Sequence, residues 1–375
     1  MGETGFEIVI NGVKLVLVFL LMVQMVPVLV WLERRGSGFI QNRFGPNRVG
    51  PLGLMQLLAD AVKFLTKEEF VPKAATKLLF YAAPVFALLP GTLAFSAIPM
   101  SSPLKWDQYT FAIQGYDIGI GIVFILAVSS LAAYTILMAG WGSGNKFSLM
   151  GALRASAQTI SYELALGLSI VGIIMMYGTF NLSEMIAAQQ GTLHFQAFGY
   201  TVASAYIPNW GILYQPLAAV LFFAATFAES NRLPFDLAEG EAELVAGFHV
   251  EYGGFKMLLF FIGEYGHMMV ASGLMATFFF GGYNIPWTTT EQVYHFMFGL
   301  VDSANIASAL TSLVHFVAFF AKLAVFLWIF IWVRWTLPRF RYDQLMDLGW
   351  KTMLPWALGN TIVSAIVIYV VSLTW

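Results

Sequence analysis

Eight apolar runs, each close to the length that crosses a lipid bilayer, constrain this chain more than any other feature. A transmembrane helix needs about 20 consecutive apolar residues, and only helices or closed barrels satisfy backbone hydrogen bonds within hydrocarbon. The runs do not alternate apolar with polar residues, so they predict helices. They cover residues 8–32, 79–99, 119–141, 160–178, 213–228, 256–280, 314–335 and 354–373. We therefore expect an all-α polytopic membrane protein with about eight transmembrane helices, forming a single membrane domain over residues 1–375.

The fifth run is short, which indicates either a weak span or a helix that continues into the polar loop behind it. On the other side of the predicted membrane, Asn181 and Glu184 have capping-box spacing and predict a short helix that ends near Gly191. Segment 281–313 is moderately apolar, and we expect a surface helix or a re-entrant piece there.

Basic residues are concentrated on one face of the predicted bundle. Of the 19 lysines and arginines, all except Lys14, Lys105 and Lys322 fall in loops on the same side. Because loops rich in Lys and Arg remain on the cytoplasmic side, we expect that face to be cytoplasmic and both termini to lie outside. The absence of cysteine excludes disulfides and clusters held by thiolates.

Two loops on the basic face, 33–78 and 229–255, contain most of the ionisable groups. Segment 45–51 of the first loop pairs Gly with Pro and predicts a stiff turn. After it, polar residues at spacings of four, three and four predict an amphipathic helix, which lies along the membrane interface or beneath the bundle. These residues are Gln56, Asp60, Lys63 and Lys67.

The second loop is acidic, and Arg232 is its one cation. Six acids so close together repel one another, so some should hold protons unless the basic loop neutralises them. Asp236 and Glu239 also have capping-box spacing, and Glu241 and Glu243 fit a solvated or docking surface as well as a proton site. The six are Glu229, Asp236, Glu239, Glu241, Glu243 and Glu251.

Three carboxylates, Glu163, Glu229 and Glu264, lie in apolar runs or at their ends. A charge at the centre of a membrane helix costs at least about 2.5 kcal/mol, so each needs a water-filled cavity or a partner. We interpret them as part of a proton-handling chain in the cytoplasmic half. The alternative is that they pair with arginines or hydroxyls and only fix helix packing.

The remaining buried or clustered polar residues allow narrower inferences. Arg34 and Arg43 are candidates to pair with the acidic loop, because Gly36-Ser37-Gly38 lets backbones approach closely. His267 and His315 differ in depth by several turns, so we expect no haem between them. Lys322 requires a partner that the sequence does not identify.

Four long segments of the chain resemble the H-type membrane subunit of bacterial NADH:quinone oxidoreductase, or respiratory complex I. The mitochondrial counterpart of that protein is called subunit 1. Together the segments extend over nearly the whole chain, and the outer segment 281–313 departs most from the family pattern. The segments are LERRGSGFIQNRFGPNRVGPLGLMQLLADAVKFLTKE, ASAQTISYELALGLSI, AESNRLPFDLAEGEAELVAGFHVEYGG and PRFRYDQLMDLGWK.

The resemblance implies a quinone chamber and a carboxylate funnel that couples quinone reduction to proton translocation. It also implies a bacterial inner membrane and partners that include the hydrophilic quinone-module subunits and small membrane subunits. Quinone would be the substrate, iron–sulfur clusters and FMN would lie in partner subunits, and no metal or nucleic acid is expected on this chain. Residues that match the chamber are Arg34, Gln41, Arg43, Asp60, Lys63, Arg232, Phe235 and Asp236. Residues that match the funnel are Glu163, Glu229, Glu239, Glu241, Glu243, Glu251 and Glu264.

Two alternatives remain open from the sequence. The membrane subunit of an energy-converting hydrogenase, or of a ferredoxin:quinone relative of complex I, has a similar layout. The complete first-loop string and the Pro234-Phe235 step favour the quinone enzyme. A free-standing proton-coupled carrier is the other alternative, but carriers usually contain inverted repeats with paired broken helices, and the sequence shows no such pair.

Overall fold

The computed structural model describes residues 3–107, 109–197, 200–236 and 245–373. Within these residues, seven helical segments are long and apolar enough to cross a membrane. The third is broken at Ser130 into α4 and α5, and the seventh begins with the short helix α13 (Tyr342–Asp347). The long elements are α1 (Glu3–Ile40), α3 (Lys77–Ser96), α4 (Gly121–Ser129), α5 (Leu131–Gly142), α6 (Lys146–Tyr177), α10 (Gly254–Phe279), α12 (Ala304–Thr336) and α14 (Leu354–Leu373).

Shorter elements connect the long helices and confirm the all-α expectation, with little sheet. Two antiparallel hairpins, β1–β2 and β3–β4, were not predicted from the sequence. Their strands are β1 (Leu104–Trp106), β2 (Tyr109–Phe111), β3 (Thr192–Ala197) and β4 (Tyr200–Pro208). The remaining helices are α2 (Gln56–Thr66), α7 (Leu182–Ala188), α8 (Gly211–Tyr214), α9 (Pro216–Glu229) and α11 (Thr290–Val301).

The fifth predicted span is a short helix, as its sequence indicated. Helix α9 has 14 residues, about 21 Å at 1.5 Å per residue, and it ends at Glu229 instead of continuing into the polar loop. Helix α8 precedes it, separated only by Gln215. Together the two helices approach the roughly 30 Å thickness of the hydrocarbon core.

Two helices extend well beyond their predicted spans. Helix α1 continues through Gly36 and Gly38 to Ile40, so Glu33 and Arg34 lie on its last turns instead of in a loop. Both glycines permit close approach, since a Cβ at Gly36 would lie 3.0 Å from the Trp328 ring. Helix α6 has 32 residues and begins at Lys146 instead of near residue 160, which places Glu163 near the midpoint of the helix.

The core is formed where α6, α9, α10 and α12 pack together. Tyr162 of α6 is fully buried, and its hydroxyl donates to the carbonyl of Leu345 at 2.8 Å. Small residues allow the long helices to approach closely, a common device in membrane bundles. Gly263 of α10, for example, lies directly against the backbone of Ala87 in α3.

Helices α7 and α11 begin at side-chain N-caps. The sequence indicated the cap at Asn181, but Glu184 accepts from the Thr179 hydroxyl instead of completing a capping box, and the cap at Thr289 was not predicted. The Asn181 side chain accepts from the backbone N–H groups of Ser183 and Glu184 and caps α7. Helix α11 begins with a capping box at Thr289, and Val293 is its one buried residue, so segment 281–313 contains a surface helix.

Lys322 of α12, whose partner the sequence did not identify, is held by three backbone carbonyls. Its Nζ donates to the carbonyls of Phe280, Gly282 and Asn284 at 2.7, 2.8 and 2.6 Å. These carbonyls lie just beyond the C-terminal end of α10, where backbone acceptors lack helical partners. The ammonium group therefore ties α12 to the end of α10.

Candidate functional site

A large cavity of about 760 Å³ lies between α1, α2, α10 and the chain that follows α9. Most of its wall is apolar and is contributed by Val23, Val26, Val30, Phe64, Phe261 and Ile262. Its polar wall contains Glu33, Arg34, Asp60, Arg232, Glu264 and Arg334. The volume is within the range of small-molecule sites, about 300–1,000 Å³, which combine apolar walls with a few placed polar groups.

Arg232 is the central charge of the polar wall and is only 4% exposed. Its Nε lies 3.0 Å from Glu264, its Nη1 lies 3.7 Å from Glu33, and its guanidinium lies over the Tyr265 ring at 4.3 Å. Burial acts to lower the pKa of Arg232, but the charges of Glu264, Tyr265 and Glu33 raise it above its ordinary value. The guanidinium therefore stays charged.

Two nitrogens of Arg232, Nε and Nη2, are buried and form no hydrogen bond of good geometry with the described residues, and only Nε has an ion-pair partner nearby, Glu264 at 3.0 Å. A buried donor without an acceptor costs about 1–3 kcal/mol. Because Arg232 lines the large cavity, its Nη2 donor fits a ligand that carries an oxygen acceptor.

Glu33 is a member of the site that our sequence analysis missed. It is 6% exposed, accepts from the Tyr265 hydroxyl at 2.6 Å, and pairs with Arg334 of α12. The signal for it was present in α1, because Glu33 continues a stripe of buried residues at spacings of three and four. That stripe is Val18, Met22, Val26 and Leu29.

The first loop forms one edge of the cavity through pairs within itself. Arg34 pairs with Asp60 of α2, and the Gln56 amide donates to the same carboxylate at 3.3 Å. Arg43 donates to Gln41 at 2.6 Å and to the Ser37 hydroxyl at 3.3 Å. Thus Arg34 and Arg43 have partners inside their own loop, whereas we expected partners in the acidic loop.

The amphipathic helix predicted after the turn is α2, and it places Asp60 against the cavity. Lys63 lies 3.8 Å from Asp60, but its side chain is 71% exposed and does not line the cavity. Leu58, Val62 and Leu65 are exposed on another part of the helix surface. Helix α2 therefore lies between the cavity and the outer surface of the protein.

The first loop also meets the second at the start of α10. Lys256 is buried, its Nζ lies 2.8 Å from Glu69, and the rings of Phe80 and Tyr81 lie within 5.3 and 4.5 Å of it. This ion pair and the Arg232–Glu33 pair join the two charged loops, but in both pairs the first loop supplies the acid, whereas we expected it to supply the cation.

A smaller cavity of about 60 Å³, here called the inner cavity, adjoins the large one. His249 and Glu264 line both cavities, and the inner cavity also contacts Glu229, Asp236 and His267. A third cavity of about 20 Å³ shares Glu229 and His267 with it. One water needs roughly 10–15 Å³ in this measure, so both spaces can hold water beside carboxylates.

Four of the eight residues expected in the chamber do not line the large cavity, namely Gln41, Lys63, Phe235 and Asp236. Phe235 is buried between the rings of Tyr162 and Phe340, and its carbonyl accepts from Gln158 at 2.6 Å. Asp236 lines the inner cavity, 3.8 Å from Arg339.

The expected proton-pathway residues are divided among several places. Glu229 and Glu264 line the inner cavity, whereas Glu163 and Glu251 line none of the three cavities. Glu251 accepts from the Asn145 amide at 2.6 Å, next to the start of α6. Three further members lie outside the described residues, namely Glu239, Glu241 and Glu243.

The comparison with known proteins agrees with the resemblance seen in the sequence. A model of the NADH dehydrogenase family matches residues 13–365. The H-type subunit of NADH-quinone oxidoreductase from Bdellovibrio bacteriovorus is 69% identical over 100% of both chains. The chain belongs to this family of H-type complex I subunits. A relative from Geobacter metallireducens with the same designation is 43% identical over 97% of this chain and 98% of its own.

As a member of this family, the chain is one membrane subunit of an oxidoreductase complex and has other complex I subunits as partners. A third relative, from Cytophaga hutchinsonii, is 46% identical over 88% of this chain and 89% of its own. The long apolar helices are therefore membrane spans, and the large cavity is a feature of a membrane-embedded protein.

Proposed function

We propose that this chain is the membrane subunit of a proton-pumping NADH:quinone oxidoreductase, and that its large cavity binds the quinone head group. The names of its relatives identify quinone as the acceptor of those enzymes. The observation that carries the proposal is that Arg232, a buried and charged residue whose Nη2 has no acceptor among the described residues, lines a cavity of about 760 Å³.

The walls of the cavity suit both parts of a quinone. The isoprenoid tail is apolar and fits the surface formed by α1 and α10, including Val26 and Phe261. The carbonyl oxygens of the head group need donors, and Arg232 Nη2 would supply one. Buried polar groups must be paired, so the bound head group would satisfy a donor that otherwise lacks an acceptor.

Reduction of the head group adds negative charge beside Glu264 and Glu33. A change of charge a few ångströms away alters the protonation of buried carboxylates. Glu264 lies in the wall shared with the inner cavity, and Glu229 follows at the third cavity. The proposed proton route starts with these residues and continues to Glu163, with Glu239, Glu241, Glu243 and Glu251 as members in the second loop.

The charged loops define the orientation that we propose. The face that contains Arg34, Lys256 and Arg334 would be cytoplasmic, and both termini would lie on the opposite side of a bacterial inner membrane. Hydrophilic quinone-module subunits would then dock on the loop face and deliver electrons from FMN and iron–sulfur clusters. Small membrane subunits would cover exposed faces of the bundle.

The energy-converting hydrogenase is the main alternative, because protons move through its membrane domain without quinone. The large cavity and its apolar wall favour the quinone enzyme, and so do the names of the relatives. Labelling the purified, membrane-reconstituted complex with a photoreactive quinone analogue distinguishes the two. Labelled peptides from α1 or α10, competed by free quinone, would support the proposal. Labelling confined to other subunits would contradict it.

A variant test can examine Arg232 itself. Arg232→Met removes the donor and the charge, and we expect loss of analogue labelling together with loss of quinone reduction. The matched control is Arg341→Met, because Arg341 is 73% exposed and pairs only with Asp343 among the described residues. Equal labelling of the two variants would remove Arg232 from the binding site.

A further inference from the structure

His249 occupies a position that neither the sequence analysis nor the proposed proton route uses. Among the described residues, it and Glu264 are the only two that line both the large cavity and the inner cavity. Glu264 is engaged as a counter-ion of buried Arg232 at 3.0 Å. Removing the charge of a buried ion-pair partner is costly, so proton exchange through Glu264 in the proposed route is coupled to that ion pair. His249 is the second residue at the same partition.

An imidazole is suited to that exchange. It changes charge near neutral pH, and its two ring nitrogens can accept a proton on one side and release one on the other. His249 is 7% exposed and borders both cavities. We propose that His249 transfers protons between the carboxylates of the inner cavity and the quinone head group in the large cavity. This inference rests on the proposed quinone binding.

The local fold holds His249 at this partition. It ends the 3₁₀ turn Gly247–His249, whose middle carbonyl, that of Phe248, accepts from the Ser148 hydroxyl of α6 at 3.1 Å. Gly151 of α6 lies so close that a Cβ there would be 2.7 Å from the Gly247 Cα. On the other side, the His249 ring contacts Phe260 of α10, with 5.2 Å between the ring centroids. The turn is thus fixed on two long helices.

The proton balance of the step is simple. A quinone that has received two electrons from the donor subunits takes up two protons to become a quinol. A carboxylic acid of the inner cavity, Glu229 or Asp236, gives a proton to one ring nitrogen of neutral His249. The imidazolium then releases the proton of its other nitrogen, which forms an O–H bond on the head group. The ring is again neutral, and turning it over restores the first tautomer. A second passage of the same kind, from the other carboxylic acid, supplies the second O–H proton, so the negative charge of the reduced head group has moved to the inner cavity.

The test uses the whole complex reconstituted in liposomes. His249→Ala should lower the rate of quinone reduction about a hundredfold, as the loss of a proton donor typically does. Added imidazole should restore much of the rate, because the large cavity admits a molecule of that size. NADH oxidation by ferricyanide should not change, because that reaction takes place in partner subunits. Recovery of the variant chain in the purified complex at the normal ratio to the other subunits shows that the complex is assembled. His295→Ala is the control, because His295 is exposed on the surface helix α11.

Each result decides the inference. A His249→Ala rate equal to that of the unmodified complex would overturn it, and so would a slow variant that imidazole does not rescue. His249→Gln keeps much of the volume without the ability to carry the charge, and it should show the same loss if the alanine variant does not assemble. If a photoreactive quinone analogue fails to label this chain in the unmodified complex, the proposed function itself fails. If the analogue labels this chain but the His249→Ala complex reduces quinone at the normal rate, only the role of His249 is contradicted.

Discussion

Glu33 and Arg334 form an ion pair although 301 residues separate them in the chain. Glu33 lies near the end of α1 and Arg334 near the end of α12, so the pair joins the first and seventh predicted spans at the wall of the large cavity. The side chain of Glu33 is 8% exposed and that of Arg334 is 25% exposed, which limits screening by solvent. This pair links the stability of the bundle to the shape of the site.

We expect Glu33 and Arg334 to be energetically coupled. Glu33→Gln and Arg334→Gln should each lower the temperature at which the purified complex loses quinone reductase activity. The double variant should lose less stability than the two single variants lose together. The difference should be roughly 0.5–3 kcal/mol, as for residues in direct contact. The exposed pair Arg341–Asp343 is the control and should show no measurable coupling. Strict additivity for Glu33 and Arg334 would show that the pair does not stabilise the bundle.

Replacing Glu163 with glutamine should reduce proton pumping in reconstituted vesicles, because the amide cannot carry a proton along the proposed route. Quinone reduction should slow in parallel if the two processes are tightly coupled. Glu184→Gln is a matched control, since Glu184 bonds Thr179 outside the cavities. Normal pumping with a normal rate of quinone reduction would remove Glu163 from the route.

Lys322→Met should destabilise the outer half of the bundle. The methionine has a similar length, but it leaves the three carbonyls after α10 without the donor that Lys322 provides. Hydrogen bonds to a charged group contribute about 1.5–3 kcal/mol each at most, so inactivation should occur at a clearly lower temperature. Lys351→Met is the control, because Lys351 is 72% exposed. Equal inactivation temperatures would mean that water replaces the ammonium without cost.

Gly151→Ala should slow quinone reduction although Gly151 itself lines neither cavity. The added methyl group meets Gly247 and pushes the turn that holds His249 away from α6. Gly167→Ala is a control on the same helix, because no described residue of this chain lies within 4 Å of its Cβ position. The measurement is the rate of quinone reduction at saturating quinone, and identical rates for the two variants would show that the turn tolerates displacement.

Much of the fold followed from local patterns. Long apolar runs specify membrane helices with few alternatives, and the spacing of Gln56 and Asp60 correctly indicated α2. The predicted ends of α1 and α6 were wrong. In α1 the glycines that usually interrupt helices are tolerated, because Trp328 packs against Gly36 and the backbone of Arg43 lies against Gly38. The small hairpins have weak local signals, and they were not predicted.

Much of the site depended on contacts that no local pattern specifies. Arg232 and Glu264 were identified as charges that required partners, but their pairing became visible only in the packed bundle. Glu33 was not predicted as a site residue, because the basic residues Arg34 and Arg35 that follow it dominate the charge pattern of the segment. Lys322 pairs with backbone carbonyls. Because every residue has a carbonyl, the sequence does not indicate which residues are its partners.

The distance along the chain between Glu33 and Arg334 has a consequence for biogenesis. A ribosome delivers the first span long before the seventh, so Glu33 enters the bilayer without one of its counter-ions. The wall of the large cavity can be completed only after translation has passed Arg334, when helices α1 to α11 have already been synthesised. A chain truncated before that point would accumulate as a membrane-inserted intermediate with an incomplete chamber.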